Sequence, residues 1–186
     1  MKKLTIYYDD TKQSCRRFAD EFLKYENVEC RKASEYQEQR IIFADRVRIG
    51  LIFESQDGQI PASVLHIIRR VVADKEEKHL VCVTGGRREL QALHAAREEM
   101  QQRAYQVSNL YTKYIFEKHR LGTAEAVARM AEDMEDGREN VLFKEKYRGC
   151  SGREFRKHLR QEIKQYRKYK KALKNARQQT ADRGKS

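Results

Sequence analysis

Apolar positions in this chain gather into five short runs, and a stretch of helical spacing follows each one. Lys3 to Tyr8 is rich in β-branched and aromatic residues and predicts a central strand. Phe18, Ala19, Phe22 and Leu23 then recur on one face of a helix. Val28 to Ala33 is a shorter, more polar strand suited to a sheet edge, and Tyr36 to Ala44 predicts a brief helix. Val47 to Phe53 is the third strand. Pro61 opens a helix that carries Val64, Leu65, Ile67, Ile68, Val71 and Val72. His79 to Thr84 is the fourth strand, Gly85-Gly86 turns the chain, and Leu90, Leu93 and Met100 lie on one helical face. Val107 to Tyr111, extended toward Phe116, gives a fifth strand, and Ala124, Val127, Ala128, Ala131 and Met134 a fifth helix.

Alternation of this kind predicts an α/β fold, a doubly wound five-stranded parallel sheet covered on both faces. The near-continuous apolar first, third and fourth strands fit the interior of such a sheet, and the order 2-1-3-4-5 places the more polar second and fifth at its edges. Residues 1–140 form this domain, and 141–186 form a basic C-terminal helix and tail. Ser151-Gly152-Arg153-Glu154 is a capping-box sequence, followed by Phe155, Leu159, Ile163, Tyr166, Tyr169 and Leu173 at helical spacing. From Ala176 the periodicity is lost.

Charge follows the same division. Ser151 to Ser186 holds 13 Lys or Arg against 3 Asp or Glu, whereas the other 150 residues hold 27 against 25, so +10 of the +12 net charge belongs to the tail. No apolar run approaches the ~20 residues that cross a bilayer. The four cysteines (Cys15, Cys30, Cys82, Cys150) are dispersed, without metal-ligand spacing, as in a reducing compartment; a soluble cytoplasmic protein is expected.

In an open parallel sheet, ligands bind outside the carboxyl ends of the strands, beside the switch in strand order. The first such loop is Asp9-Asp10-Thr11-Lys12-Gln13-Ser14, with two hydroxyls three apart at the start of a helix. The third strand leads into Gly58-Gln59-Ile60-Pro61, and the fourth into Thr84-Gly85-Gly86 with Ala92-Leu93 beyond. Over roughly Leu4 to Met134 these three loops resemble those of the flavodoxin-like family. The resemblance implies FMN as cofactor and low-potential electron transfer with a redox protein partner. Thr11, Lys12, Gln13 and Ser14 would hold the phosphate; Gln56, Gly58, Ile60, Thr84, Gly85, Gly86 and Arg87 would surround the ring. Lys12 stands where the family has glycine, Gln13 where it has asparagine, and Gln56 where an aromatic often sits. The two acids ahead of the loop oppose a phosphate.

Two other readings share the fold. Asp9, Asp10, Thr84 and Lys113 are also similar to the pattern of receiver domains, but Glu54 follows the third strand where that chemistry requires aspartate. Alternatively, the domain is a non-enzymatic interaction module without cofactor, binding a partner or nucleic acid through its basic tail, where clustered cations supply sequence-independent phosphate affinity. The same helix has the character of one that lies on an anionic membrane surface, although nothing spans it. The histidines have no catalytic partner at a recognisable spacing, and His66, within an apolar helix, is expected in the core.

Overall fold

The structure is a computed structural model that describes residues 2–44 and 47–137, with single positions at 157, 160, 161, 164, 168 and 171. The chain forms two compact units, Met1–Lys146 and Tyr147–Ser186. The expected boundary at 140/141 lies outside the described residues, as do the capping box, the apolar-aromatic stripe of the tail and the segment beyond Ala176.

In the first unit the elements run β1 (Leu4–Tyr8), α1 (Gln13–Phe22), β2 (Val28–Lys32), a 3-10 turn (Ala33–Tyr36), β3 (Ile42–Phe43), β4 (Arg48–Ser55), α2 (Ala62–Arg70), β5 (Val71–Val72), β6 (Lys78–Gly86), α3 (Glu89–Gln102), β7 (Gln106–Thr112), α4 (Lys113–His119) and α5 (Thr123–Glu135). Five strands make one parallel sheet in the order β2-β1-β4-β6-β7. That is the topology of a flavodoxin-like fold, with its switch point between β1 and β4.

Strand residues alternate between two buried faces. Leu4 and Ile6 of β1 join Ile52, Leu80 and Cys82 beneath Phe18 and Phe22 of α1 and Val127, Met130 and Met134 of α5. On the other face Tyr7 meets the Tyr36 ring edge-on, at 5.5 Å between centroids. Gly50 lets β4 pass close to its neighbours, since a Cβ there would lie 3.1 Å from Ile6 and 3.3 Å from Leu80.

Three elements differ from expectation. No helix covers Tyr36 to Ala44; the 3-10 turn ends at Tyr36, and Ile42–Phe43 pairs in parallel with Val71–Val72 in a separate two-stranded sheet. Val71 and Val72 therefore leave α2, although their spacing continues its apolar face. The Val71 carbonyl accepts from the Tyr105 hydroxyl (2.8 Å) and from Arg103 (2.9 Å), tertiary partners that end the helix where its own hydrogen bonds run out. The fifth strand stops at Thr112, whose hydroxyl caps α4, so Tyr114 to Phe116 are helical.

Among the described residues no helix is long and apolar enough to cross a membrane. In the second unit, Lys157, Arg160, Gln161, Lys164, Lys168 and Lys171 are helical and exposed. At ~100° per residue these positions fall along one stripe.

Candidate functional site

β1 and β4 end at the switch point with β6 and β7 beyond them, and this end of the sheet carries Asp9, Ser14, Glu54, Thr84 and Lys113. Ser14 sits in the first turn of α1, behind a Lys12 N-cap that makes no side-chain capping bond. Its hydroxyl donates to Glu54 Oε1 at 2.5 Å, across the gap between β1 and β4. Thr84 Oγ1, at the end of β6, lies 2.9 Å from Ser14 Oγ and 3.2 Å from Cys15 Sγ.

A hydroxyl has one hydrogen, which fixes the direction of this chain. Ser14 gives its proton to Glu54, so Thr84 must donate to Ser14. Thr84 has then none left, so the Cys15 thiol donates to Thr84. Burial pushes the Cys15 thiol up to about 11, which keeps the proton that this direction needs. The sequence runs thiol, threonine, serine, carboxylate, with every hydrogen pointing toward Glu54. Thr84 has a longer alternative acceptor in the Phe53 carbonyl at 3.4 Å.

The first loop is filled from within. Asp9 is 2% exposed, and its Oδ1 accepts from the Thr11 hydroxyl (2.6 Å) and the Thr11 amide (3.1 Å). The Lys12 amide donates to the Asp9 carbonyl at 3.2 Å. Asp9 Oδ2 is buried with no hydrogen-bond partner. A phosphate cradle needs outward-facing donors and positive potential. Here the two hydroxyl donors expected to hold a phosphate, Thr11 and Ser14, are spent on carboxylates. Lys12 and Gln13 remain at the helix start, but the phosphate subsite of FMN does not fit this loop.

The two loops expected to flank a flavin ring are joined to each other. Gln56 and Gln59 exchange both backbone hydrogen bonds at 3.0 Å, closing a tight turn, and the Gly58 amide donates to Ser55 Oγ at 2.9 Å. Ser55 in turn donates to the Arg87 carbonyl at 2.5 Å. Gly86, at φ +92°, lies so close that a Cβ would sit 2.2 Å from the Ser55 carbonyl oxygen. Arg87 and Arg88 both face Asp57 at 3.6 Å. Ile60 is buried, and Gly85 lies beside the Lys113 stem and the Glu54 carboxylate. Gly85 and Gly86 thus belong to β6 and to close packing of backbone, where a plain turn was expected.

The receiver-like pattern does not assemble. Asp10 turns away to the amide (3.1 Å) and hydroxyl (2.8 Å) of Ser34, while Asp9 bonds to Thr11. Among the described residues no group of three or more His, Cys, Asp or Glu is placed to hold a metal ion. Nor is His66 a core residue: it is half-buried, with Nε2 2.9 Å from the Gln39 carbonyl, and the histidine of the core is His79.

Glu54 and Ser55 are the residues that sequence reasoning undervalued. Both follow an apolar strand directly, the one local sign that they stand at a strand's carboxyl end; their partners lie some 30 to 40 residues away in the chain. The chain matches no family model, and a search of curated proteins gives no match.

Proposed function

We propose that this chain is a cofactor-free interaction module on a flavodoxin-like fold, engaging nucleic acid through its basic C-terminal helix. One observation carries the first half of that reading: the Asp9 and Glu54 carboxylates take the hydroxyl donors that an FMN phosphate would need. An electron-transfer role with a redox partner would require both carboxylates to give up those bonds and the two ring loops to part.

The second half rests on charge and spacing. Lys157, Arg160, Lys164, Lys168 and Lys171 are helical, exposed and on one stripe. The stripe spans about 21 Å at 1.5 Å per residue, the length of roughly six phosphates along one strand. A row of cations at that pitch binds polyanions without reading sequence.

The purified protein, incubated with FMN and desalted, is expected to be colourless. A retained flavin spectrum would overturn the cofactor-free reading. In parallel, fluorescence anisotropy with a labelled single-stranded RNA is expected to show binding that weakens steeply as salt rises. Absence of binding at low ionic strength rules out the nucleic-acid partner.

A further inference from the structure

A cavity of about 240 Å³ opens at the carboxyl ends of β6 and β7, between α1, α4 and the start of α5. It is smaller than the ~300 Å³ at which pockets for drug-sized ligands begin, a size that suits only a small molecule. Three kinds of surface line it, and together they define one ligand.

The floor is made by Ser14 and Thr84. Each has committed its single hydrogen within the chain that ends on Glu54, and each accepts one bond there, from Thr84 and Cys15 respectively. Each oxygen has acceptor capacity beyond these bonds, with the Cys15 sulfur a further 3.8 Å contact of Ser14. The floor therefore accepts and does not donate. A bare anion meets only lone pairs there, so the ligand must bring its own N–H or O–H groups.

The rim is cationic. The Arg17 guanidinium is exposed and has no partner among the described residues, and Lys113 holds Glu117 only loosely, at 3.9 Å. A guanidinium fork beside an ammonium suits a carboxylate. Glu117, also on the lining, adds an acceptor for a positively charged donor. The wall is apolar: the Phe18 and Phe116 rings lie 5.5 Å apart between centroids, nearly buried, with Leu121 beside them.

We propose that this cavity binds a free α-amino acid with a medium-sized apolar side chain, as the zwitterion. Its ammonium donates to Ser14, Thr84 and Glu117, its carboxylate pairs with Arg17 and Lys113, and its side chain covers Phe18 and Phe116. The site is independent of the nucleic-acid reading and makes the domain a small-molecule receptor alongside it.

Isothermal titration calorimetry of the full chain tests this with L-leucine, L-phenylalanine, 4-methylpentanoate and inorganic phosphate. At least one of the two amino acids is expected to bind at millimolar concentration or better. The 4-methylpentanoate, which lacks the ammonium, is expected to bind at least tenfold more weakly, and phosphate not at all. Arg17→Gln, at an exposed position, should weaken the amino acid at least tenfold while far-ultraviolet circular dichroism is unchanged. Arg16→Gln, which lies outside the lining, should leave affinity as it is. The proposal is overturned if neither amino acid binds, if 4-methylpentanoate or phosphate binds as well as they do, or if Arg17→Gln binds like the parent.

Discussion

His79 is fully buried between β4 and β7, with its ring edge-on to Tyr105 at 5.2 Å and its Nδ1 accepting the Ile49 amide at 3.1 Å. An imidazole that accepts at Nδ1 is neutral there, and burial pushes its pKa down to about 4 from the usual 6.5. The unfolded chain therefore takes up this proton before the folded one does. Stability from His79 is complete above about pH 6.5 and is lost as pH falls toward 4, by about 3 kcal/mol in full. His79→Gln keeps an acceptor for Ile49 but cannot titrate. Urea midpoints measured from pH 7 to pH 4 are expected to fall less steeply in this variant; equal slopes would remove His79 as the titrating group. At this scale the sequence shows residue types and not their partners. The hydroxyls of Thr11, Ser14 and Thr84 and their places at strand ends are legible. That Asp9 and Glu54 claim them is a matter of distances across the sheet, which no local spacing contains.

Elements with long apolar runs are the ones the pattern identifies. In β1, β4 and β6 burial on both faces favours near-continuous apolar residues, and that density is what marks them in the chain. The two-residue strands β3 and β5 offer no period to read, and Val71 sits four residues beyond Ile67, where a helix would also place an apolar side chain. Tertiary bonds to Tyr105 and Arg103 decide the matter against the local preference. The pairing of Ile42 with Val71 and Phe43 with Val72 makes a sharp distinction between adjacent residues. Ile42 is 1% exposed and Phe43 64% exposed, the in–out alternation of a strand. Ile42→Ala should cost about 2–4 kcal/mol in thermal or denaturant unfolding, and Phe43→Ala less than about 1 kcal/mol. Similar costs for the two would mean that this segment does not pair as a strand.

The whole molecule separates two physical roles along its length. The first 150 residues carry nearly balanced charge and the sheet with its buried core; the last 36 carry a net +10. This partition is fully legible in the sequence because charge, unlike contact, needs no fold to be counted. If the tail binds nucleic acid as proposed, ionic strength should act unequally on that binding and on the fold of the first unit. Core burial in the first unit is insensitive to moderate salt, whereas each phosphate neutralised by the helix releases a condensed counterion. If Lys157, Arg160, Lys164, Lys168 and Lys171 each meet a phosphate, replacing all five with Gln lowers the slope of log affinity against log salt by about 3–4 on single-stranded RNA. The unfolding midpoint of the first unit should hardly move across the same salt range. A slope unchanged by the five substitutions would place the contacts elsewhere in the tail. A slope near zero in the parent chain would mean that its positive charge keeps the protein soluble and meets no polyanion.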